Sequence, residues 1–189
     1  ITPGFNDAHM HLLALASRMV GVDCSPGRVR SVDDLKREVR ARAMDTPRGS
    51  WVRGWGYDES SLAEARHPTR ADLDEAAPDH PVRLKHRSGH ATVLSSLALE
   101  MVGIGERTPD PPSGVMERDE HGVPTGLLLE MDDYLEGRVA PLARDDLERG
   151  LRVADGWLRA HGVTTVQDAT PTNDHARWQL LQGLADLVT

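Results

Sequence analysis

The stretch Pro3–His11 decides the fold, and it reads Pro-Gly-Phe-Asn-Asp-Ala-His-Met-His. Side chains on a β-strand alternate between its two faces, so a strand here places Asp7, His9 and His11 on one face. Neutral imidazole is a common ligand for zinc and related metals. A strand whose end opens into a cleft therefore presents two ligands, His9 and His11, to one ion.

Asp7 lies on the same face of this strand, one step deeper than His9. A carboxylate in that place is typical of a group that orients a metal-binding ring, so we expect Asp7 to support the site. The alternative is an ordinary pair of surface histidines, because His-x-His also arises by chance. The preceding Pro-Gly-Phe, together with an Asp two residues before His9, favours the metal site.

The pattern Pro-Gly-Phe-x-Asp-x-His-x-His resembles the first-strand signature of the amidohydrolase superfamily, metal-dependent hydrolases built on a (β/α)8 barrel. More of the chain resembles one branch, amidohydrolase family 3, which includes N-substituted formamide deformylase-like enzymes. These further stretches are 51–58, 68–74, 78–82, Gly89-His90 with Ser96, Ala98 and Leu99, 125–130 and 162–168. The sequence departs from the family at Ser95, where Asn is usual.

The resemblance implies an α/β fold that holds the first strands of a partial (β/α)8 TIM barrel of the metal-dependent hydrolase type. It also implies a large inserted α+β subdomain. We expect the first barrel strand in 1–14, the insert in 15–140, and a helix, second barrel strand and following helix in 141–189. A complete barrel takes about 250 residues, whereas this chain has 189 and starts at Ile1 rather than Met. We therefore expect a piece of a longer polypeptide.

The resemblance also implies a divalent metal, zinc or iron, bound as one or two ions with His9 and His11 as ligands. The family's other ligands, a carboxylated lysine, two histidines and an aspartate, lie on later strands and would fall beyond Thr189. Asp168 ends the second expected barrel strand. We expect Asp7 and Asp168 to be the catalytic carboxylates of this part of the chain.

Four residues are candidates for substrate binding: Trp55, Tyr57, His90 and Glu130. The strand predicted over 51–57 contains two glycines, so its aromatic side chains either line an apolar pocket or pack in the core beside a bulge. His90 follows a predicted strand, and the resemblance alone favours substrate contact over capping or packing. Glu130 ends a strand and is either a pocket residue or solvated.

Local patterns predict the remaining elements. Ser31 with Asp34 indicates the start of a helix over 33–44, and Thr69 with Asp72 starts a second helix that ends near Pro78. We predict a strand over 82–86 with His86 pointing inward as a hydrogen-bonded core histidine rather than a metal ligand. The other predictions are a helix over 92–101, a hairpin of 115–118 with 123–130, an amphipathic helix from Arg144, a buried strand over 163–166 and a helix over 175–188.

Composition narrows the class of partner. The chain has 22 basic and 30 acidic residues, a net charge of -8, and its arginines are scattered, which argues against nucleic acid. Cys24 is the single cysteine, so it excludes an internal disulfide and is consistent with a cytoplasmic location. No apolar run reaches the length of a membrane span.

The parent protein is therefore expected to be a metal-dependent hydrolase acting on a small molecule through a non-peptide carbon-nitrogen bond of the amide or formamide type. The alternative is a non-catalytic fragment that folds and associates with itself as a homo-oligomer. Exposed strand edges and uncovered apolar helix faces would favour such pairing.

Overall fold

The computed structural model describes residues 2–187 and divides them into two compact units. Unit 1 comprises the residues up to Val20 together with those from Leu142 onward, and unit 2 is Gly21–Pro141. No helix of the described residues is both long enough and apolar enough to cross a lipid bilayer. In chain order the elements are β1 Phe5–Met10, α1 Leu12–Val20, β2 Val22–Asp23, α2 Val32–Met44, β3 Val52–Tyr57, a 3-10 turn Glu59–Ser61, α3 Arg70–Ala76, β4 Val82–His86, β5 Ala91–Leu94, α4 Ser96–Met101, β6 Val115–Arg118, β7 Pro124–Leu129, α5 Asp132–Leu135, α6 Arg144–Ala160, β8 Val163–Asp168, α7 His175–Gln182 and a 3-10 turn Ala185–Leu187.

Unit 1 is built on two parallel strands, β1 and β8, and on the packing of α1 against α6. The register pairs Asp7 with Val166 and Met10 with Asp168. It shifts between Phe5 and Asn6 and again between Asp7 and Met10. The amphipathic helix predicted from Arg144 is confirmed as α6, because Leu147, Leu151, Ala154 and Leu158, which share one face at helical spacing, are all buried. A small apolar core is formed by the two helices and the segment after α7. Its buried members are Leu12, Ala16, Leu147, Leu151 and Leu184.

The strand predicted over 163–166 is confirmed as part of β8, but its predicted burial is wrong for the described residues. Thr164 and Thr165 are exposed, and only Val163 and Val166 are partly covered. A parallel strand is buried when both faces of its sheet are covered. Among residues 2–187, β8 pairs with β1 in a sheet of two strands, which leaves part of its surface open.

Gly150 allows the backbones of α1 and α6 to approach closely. A Cβ atom at this position would lie 2.2 Å from the carbonyl oxygen of Ala16 and 2.8 Å from its carbonyl carbon. Both neighbours are backbone atoms, so the contact is relieved only if the helices move apart. Gly150 is therefore required by this helix pair.

We predict that Gly150→Ala lowers the free energy of unfolding by about 1–3 kcal/mol, the usual cost of overpacking. Gly156→Ala in the same helix is the matched control. A Cβ at Gly156 meets nothing within 4 Å, so alanine should stabilise the helix by about 0.5–1 kcal/mol. Urea unfolding of both variants measures the two effects, and equal effects would contradict the close approach.

Unit 2 is a six-stranded mixed sheet with helices packed on it. The strand order is β2-β3-β4-β5-β7-β6, in which β2, β3 and β4 run parallel and the other pairs antiparallel. The predicted helix caps are confirmed: Ser31 Oγ accepts the Asp34 N–H at 3.0 Å, and Thr69 and Asp72 form a reciprocal capping box. The predicted hairpin is confirmed as β6 and β7.

The prediction of a helix over 92–101 is wrong in its first half. Residues Ala91–Leu94 form strand β5, which is buried throughout and pairs with both β4 and β7. The helix begins only at Ser96. Ser95 sets this boundary, because its hydroxyl accepts the N–H of Ala98 at 3.3 Å and the N–H of Val82 at 2.9 Å.

The predicted closing helix over 175–188 is confirmed at its start, since α7 begins at His175. It ends earlier than expected, at Gln182, and is followed by a short 3-10 turn. Val188 lies outside the described residues.

Cys24 lies in the core of unit 2 with no exposed surface. Burial, together with the negative charges of Asp23 and Glu38, raises the pKa of its thiol to about 12. The thiolate is the reactive form of cysteine. The native thiol should therefore be chemically inert near neutral pH.

We predict that a disulfide reagent such as 5,5′-dithiobis(2-nitrobenzoic acid) modifies Cys24 slowly in the native chain. In denaturant, where the burial is lost, modification should be at least about 100-fold faster because thiolate and access both return. Stopped-flow absorbance gives both rates. Rapid labelling of the folded chain would contradict the burial.

Candidate functional site

His9 and His11 lie next to each other at the carboxyl end of β1, and both are exposed. Their ring centroids are 5.7 Å apart, with the rings close to perpendicular at 76°. Zinc binds imidazole nitrogen at about 2.0–2.1 Å, which places the centres of two ligating rings at most roughly 6 Å apart. The observed spacing fits two ligands of one ion.

Thr170 holds the His11 ring. Its hydroxyl lies 3.1 Å from His11 Nδ1, so Nε2 is the nitrogen left to bind an ion. Metal-binding histidines commonly engage their second ring nitrogen in this way, which fixes the orientation of the ring. The geometry is therefore compatible with His9 and His11 as the two metal ligands predicted from the sequence.

Asp168 connects the end of β8 to the start of α1 and to the following loop. Its Oδ2 accepts the N–H of Leu12 at 2.8 Å. Its Oδ1 accepts the N–H of Thr170 at 2.8 Å and the side-chain amide of Asn173 at 2.9 Å. Partial burial raises the pKa of this carboxyl, but the hydrogen bonds from Thr170, Leu12 and Asn173 outweigh it and hold the pKa below its ordinary value.

The hydrogen bond found for Asp7 is made to the strand itself. Its Oδ1 accepts the backbone N–H of His9 at 3.1 Å. In this geometry Asp7 shapes the backbone that carries the first ring. This bond lies where β1 departs from regular register, between Asp7 and Met10.

The four predicted substrate residues belong to unit 2. Trp55 is partly buried on β3, whereas Tyr57 is 0% exposed within the core of the unit. The Tyr57 hydroxyl lies 3.1 Å from His67 Nδ1. Burial and the nearby charges of Glu59 and Glu117 raise the pKa of this phenol, so the hydroxyl stays protonated.

His90 and Glu130 form an exposed pair, although they are far apart in the sequence. His90 Nδ1 lies 2.9 Å from Glu130 Oε1 and 3.1 Å from Oε2, and the side chains are 70% and 61% exposed. The Glu130 N–H also donates to the His90 carbonyl at 2.8 Å. Glu130 has a positive φ of 53°, an uncommon conformation for a residue with a side chain.

The sequence did not identify a third group of polar residues in unit 2. Asp58, Glu59 and His86 place three potential ligand atoms within 4.8 Å of one another. His86 points inward as predicted, and its Nδ1 lies 2.8 Å from Ser88 Oγ. Its carboxylate neighbours follow a different strand, so no local pattern around His86 could have indicated them.

We predict that Asp168→Ala lowers the free energy of unfolding by about 1 kcal/mol, because two partly buried backbone N–H groups lose their acceptor. The pKa of Asp168 is lowered in the folded state, so its contribution is complete above the ordinary value of 3.8 and is lost as the pH falls through the folded-state pKa. The difference between variant and parent should be constant from about pH 7 to about pH 5 and should shrink as the pH falls below about 4. Urea unfolding across this range measures it, and a constant difference would contradict the assignment.

Comparison with known proteins gives consistent matches over most of the chain. The sequence model of the Amidohydrolase family matches residues 1–188. The N-substituted formamide deformylase of Arthrobacter pascens is 44% identical over 177 residues, which is 91% of this chain and 33% of that protein. The chain thus spans about a third of the length of this relative.

Two solved structures resemble the chain. An uncharacterized metal-dependent hydrolase from Pyrococcus horikoshii OT3 has a TM-score of 0.68 at 23% identity, covering 98% of this chain and 35% of that one. A second, from Pyrococcus furiosus, has a TM-score of 0.58 at 27% identity, covering 87% and 31%. These likenesses support the predicted α/β fold class.

Proposed function

The chain belongs to the Amidohydrolase family, as its motifs predicted, and on this basis we propose that it is part of a cytoplasmic metal-dependent hydrolase. The proposed substrate is a small molecule with a non-peptide carbon-nitrogen bond of the amide or formamide type. The observation that carries the proposal is the adjacent, exposed pair His9 and His11, with the His11 ring held by Thr170. The 44% identity to a protein named N-substituted formamide deformylase supports this choice of bond.

His9 and His11 are the proposed ligands of a divalent metal, zinc or iron, bound as one or two ions. Such a metal, when bound, polarises a substrate carbonyl and lowers the pKa of a bound water. The second nitrogen of His11 faces the Thr170 hydroxyl. Because a hydrogen bond to one ring nitrogen sets the tautomer, this contact keeps the lone pair of Nε2 available for binding.

The two carboxylates would act on this site in different ways. Asp168 is held in its charged form and fixes the loop that carries Thr170, so we assign it to positioning the His11 ring and to the charge balance of the site. Asp7 fixes the backbone at His9. Both remain candidates for the catalytic roles expected from the sequence.

Substrate contacts are proposed for Trp55, His90 and Glu130, and an indirect role is proposed for Tyr57, whose side chain is 0% exposed. In the exposed pair, we assign the Nδ1–H of His90 as the donor of a hydrogen bond to the Glu130 carboxylate, which leaves the Nε2 lone pair of His90 to accept a hydrogen bond from a ligand. An amide or formamide N–H is a donor of the kind that this nitrogen would bind. Tyr57 would contribute indirectly, through the ring of His67.

The test uses the whole protein that contains this chain. We predict that the double variant His9→Ala, His11→Ala loses most of its bound metal, measured by inductively coupled plasma mass spectrometry. Formate release from N-substituted formamides should fall by at least about 100-fold, the scale expected when a main electrostatic stabiliser is removed.

His121→Ala is the matched control, because His121 is an exposed histidine at the tip of the β6–β7 hairpin. This variant should keep both metal and activity. Full metal content with undiminished formate release in the double variant would overturn the proposed function. The family match favours hydrolysis over the alternative of a non-catalytic, self-associating fragment.

A further inference from the structure

A second cluster of metal-binding side chains lies in unit 2, at the carboxyl ends of two adjacent parallel strands. Asp58 and Glu59 directly follow β3, and His86 is the last residue of β4. The register places Tyr57 opposite His86. Because parallel strands end at the same edge of a sheet, the two carboxylates come next to the imidazole.

The closest contact in the cluster joins two buried atoms. His86 Nε2 lies 2.8 Å from Glu59 Oε2, yet both atoms are buried and neither has a hydrogen-bond partner among the described residues. The pair is close enough but does not have the directions that a hydrogen bond needs. Buried polar atoms are almost always satisfied, so two orphaned atoms facing each other indicate a ligand that binds both.

Ser88 supports the other side of the His86 ring. Its hydroxyl lies 2.8 Å from Nδ1, and its backbone N–H donates to the same nitrogen at 3.1 Å. Because Nδ1 accepts the backbone N–H, the neutral ring carries its proton on Nε2, which faces Glu59. A cation that binds Nε2 shifts this proton to Nδ1, where the Ser88 hydroxyl accepts it in a hydrogen bond, as in histidines that ligate a metal.

Asp58 supplies a second carboxylate. Its Oδ1 accepts a hydrogen bond from the Ser60 hydroxyl at 2.7 Å. Arg87 Nη1 lies 2.7 Å from Asp58 Oδ2, and the Asp58 side chain is 7% exposed. Arg87 balances one negative charge, so the charge of Glu59 remains for a cation.

From this arrangement we infer that Asp58, Glu59 and His86 bind a divalent transition-metal cation of the zinc type. One imidazole nitrogen with carboxylate oxygens is a donor set that zinc accepts. Ligand atoms at about 2.0–2.2 Å from a tetrahedral ion are roughly 3.3–3.6 Å apart, which the cluster reaches by small movements within its 4.8 Å limit. The cation ties the turn after β3 to the end of β4 and so stabilises unit 2.

His67 offers a further donor beside the cluster. Its Nδ1 lies 3.8 Å from Glu59 Oε2, and the same nitrogen faces the Tyr57 hydroxyl. The rings of His67 and His86 are 5.9 Å apart between centroids. Because its Nδ1 already contacts the Tyr57 hydroxyl, His67 borders the site without being one of the three ligands.

The test isolates this cluster from the histidines of β1. The 189-residue chain carrying His9→Ala and His11→Ala is titrated with Co²⁺ and with Zn²⁺, using visible absorption for cobalt and calorimetry for zinc. We expect one ion per chain, with a cobalt spectrum typical of low coordination number. Zinc should also raise the thermal unfolding midpoint of this chain.

Further variants in the same background identify the ligands. Ser88→Ala should weaken binding by about 10-fold, as expected for loss of an outer hydrogen-bond partner. Glu59→Gln with His86→Gln should weaken it by more than about 100-fold, beyond the usual range for such partners. The matched control is Glu120→Gln with His121→Gln, which changes an exposed pair of the same residue types and should leave binding unchanged.

Two outcomes would overturn the inference: no binding of either metal in the background chain, or unchanged binding after Glu59→Gln with His86→Gln. Circular dichroism checks that the variants are folded before metal is added. If the Glu59, His86 variant does not fold, the Ser88→Ala titration and the zinc-dependent thermal shift decide the matter. Because His9 and His11 are absent throughout, failure of the proposed function at β1 does not affect the result.

Discussion

The carboxylate of Asp168 is the interaction on which unit 1 depends. It accepts hydrogen bonds from three N–H groups: that of Leu12 at the start of α1, the backbone of Thr170 and the side chain of Asn173. The start of a helix has backbone donors without helical partners, and a charged acceptor from a neighbouring strand end satisfies one of them. The same carboxylate fixes the loop whose Thr170 hydroxyl contacts His11. One side chain therefore links the fold of the unit to the geometry of its histidine pair.

The rule that parallel strands end at a common edge explains both polar clusters. In unit 1, β1 and β8 run parallel, and Met10 at the end of β1 pairs with Asp168 at the end of β8. In unit 2, β3 and β4 run parallel, so the residues after Tyr57 meet His86. Each cluster combines imidazole from one strand end with carboxylate from the next. Ligand sites at the carboxyl ends of strands are a general property of α/β sheets, and the two sites proposed for this chain both have that position.

Local patterns in the sequence predicted the structural features that depend on residues close together in the chain. The pair His9 and His11, the cap at Ser31 and the apolar face of α6 each follow from spacing within one element. Strand β5 was missed because Ala91–Leu94 runs directly into α4, and a short apolar run does not distinguish a buried strand from a helix. The pairing of His90 with Glu130, and that of Glu59 with His86, depends on strand order across the sheet. Spacing along the chain carries no such information.

Unit 2 contains two histidine–glutamate pairs of the same chemistry in different surroundings, and exposure separates their roles. In the pair His90 and Glu130 the side chains are 70% and 61% exposed, so water screens the charges and the pair contributes little to stability. Such a pair is free to exchange partners, which suits contact with a substrate that must leave. In the pair His86 and Glu59 the corresponding values are 14% and 33%, and the facing atoms are removed from water. Keeping a carboxylate charged when one of its oxygens is removed from water is costly unless a cation lies beside it. A permanently bound cation removes that cost, so burial favours a structural ion for this pair and a transient ligand for the exposed one.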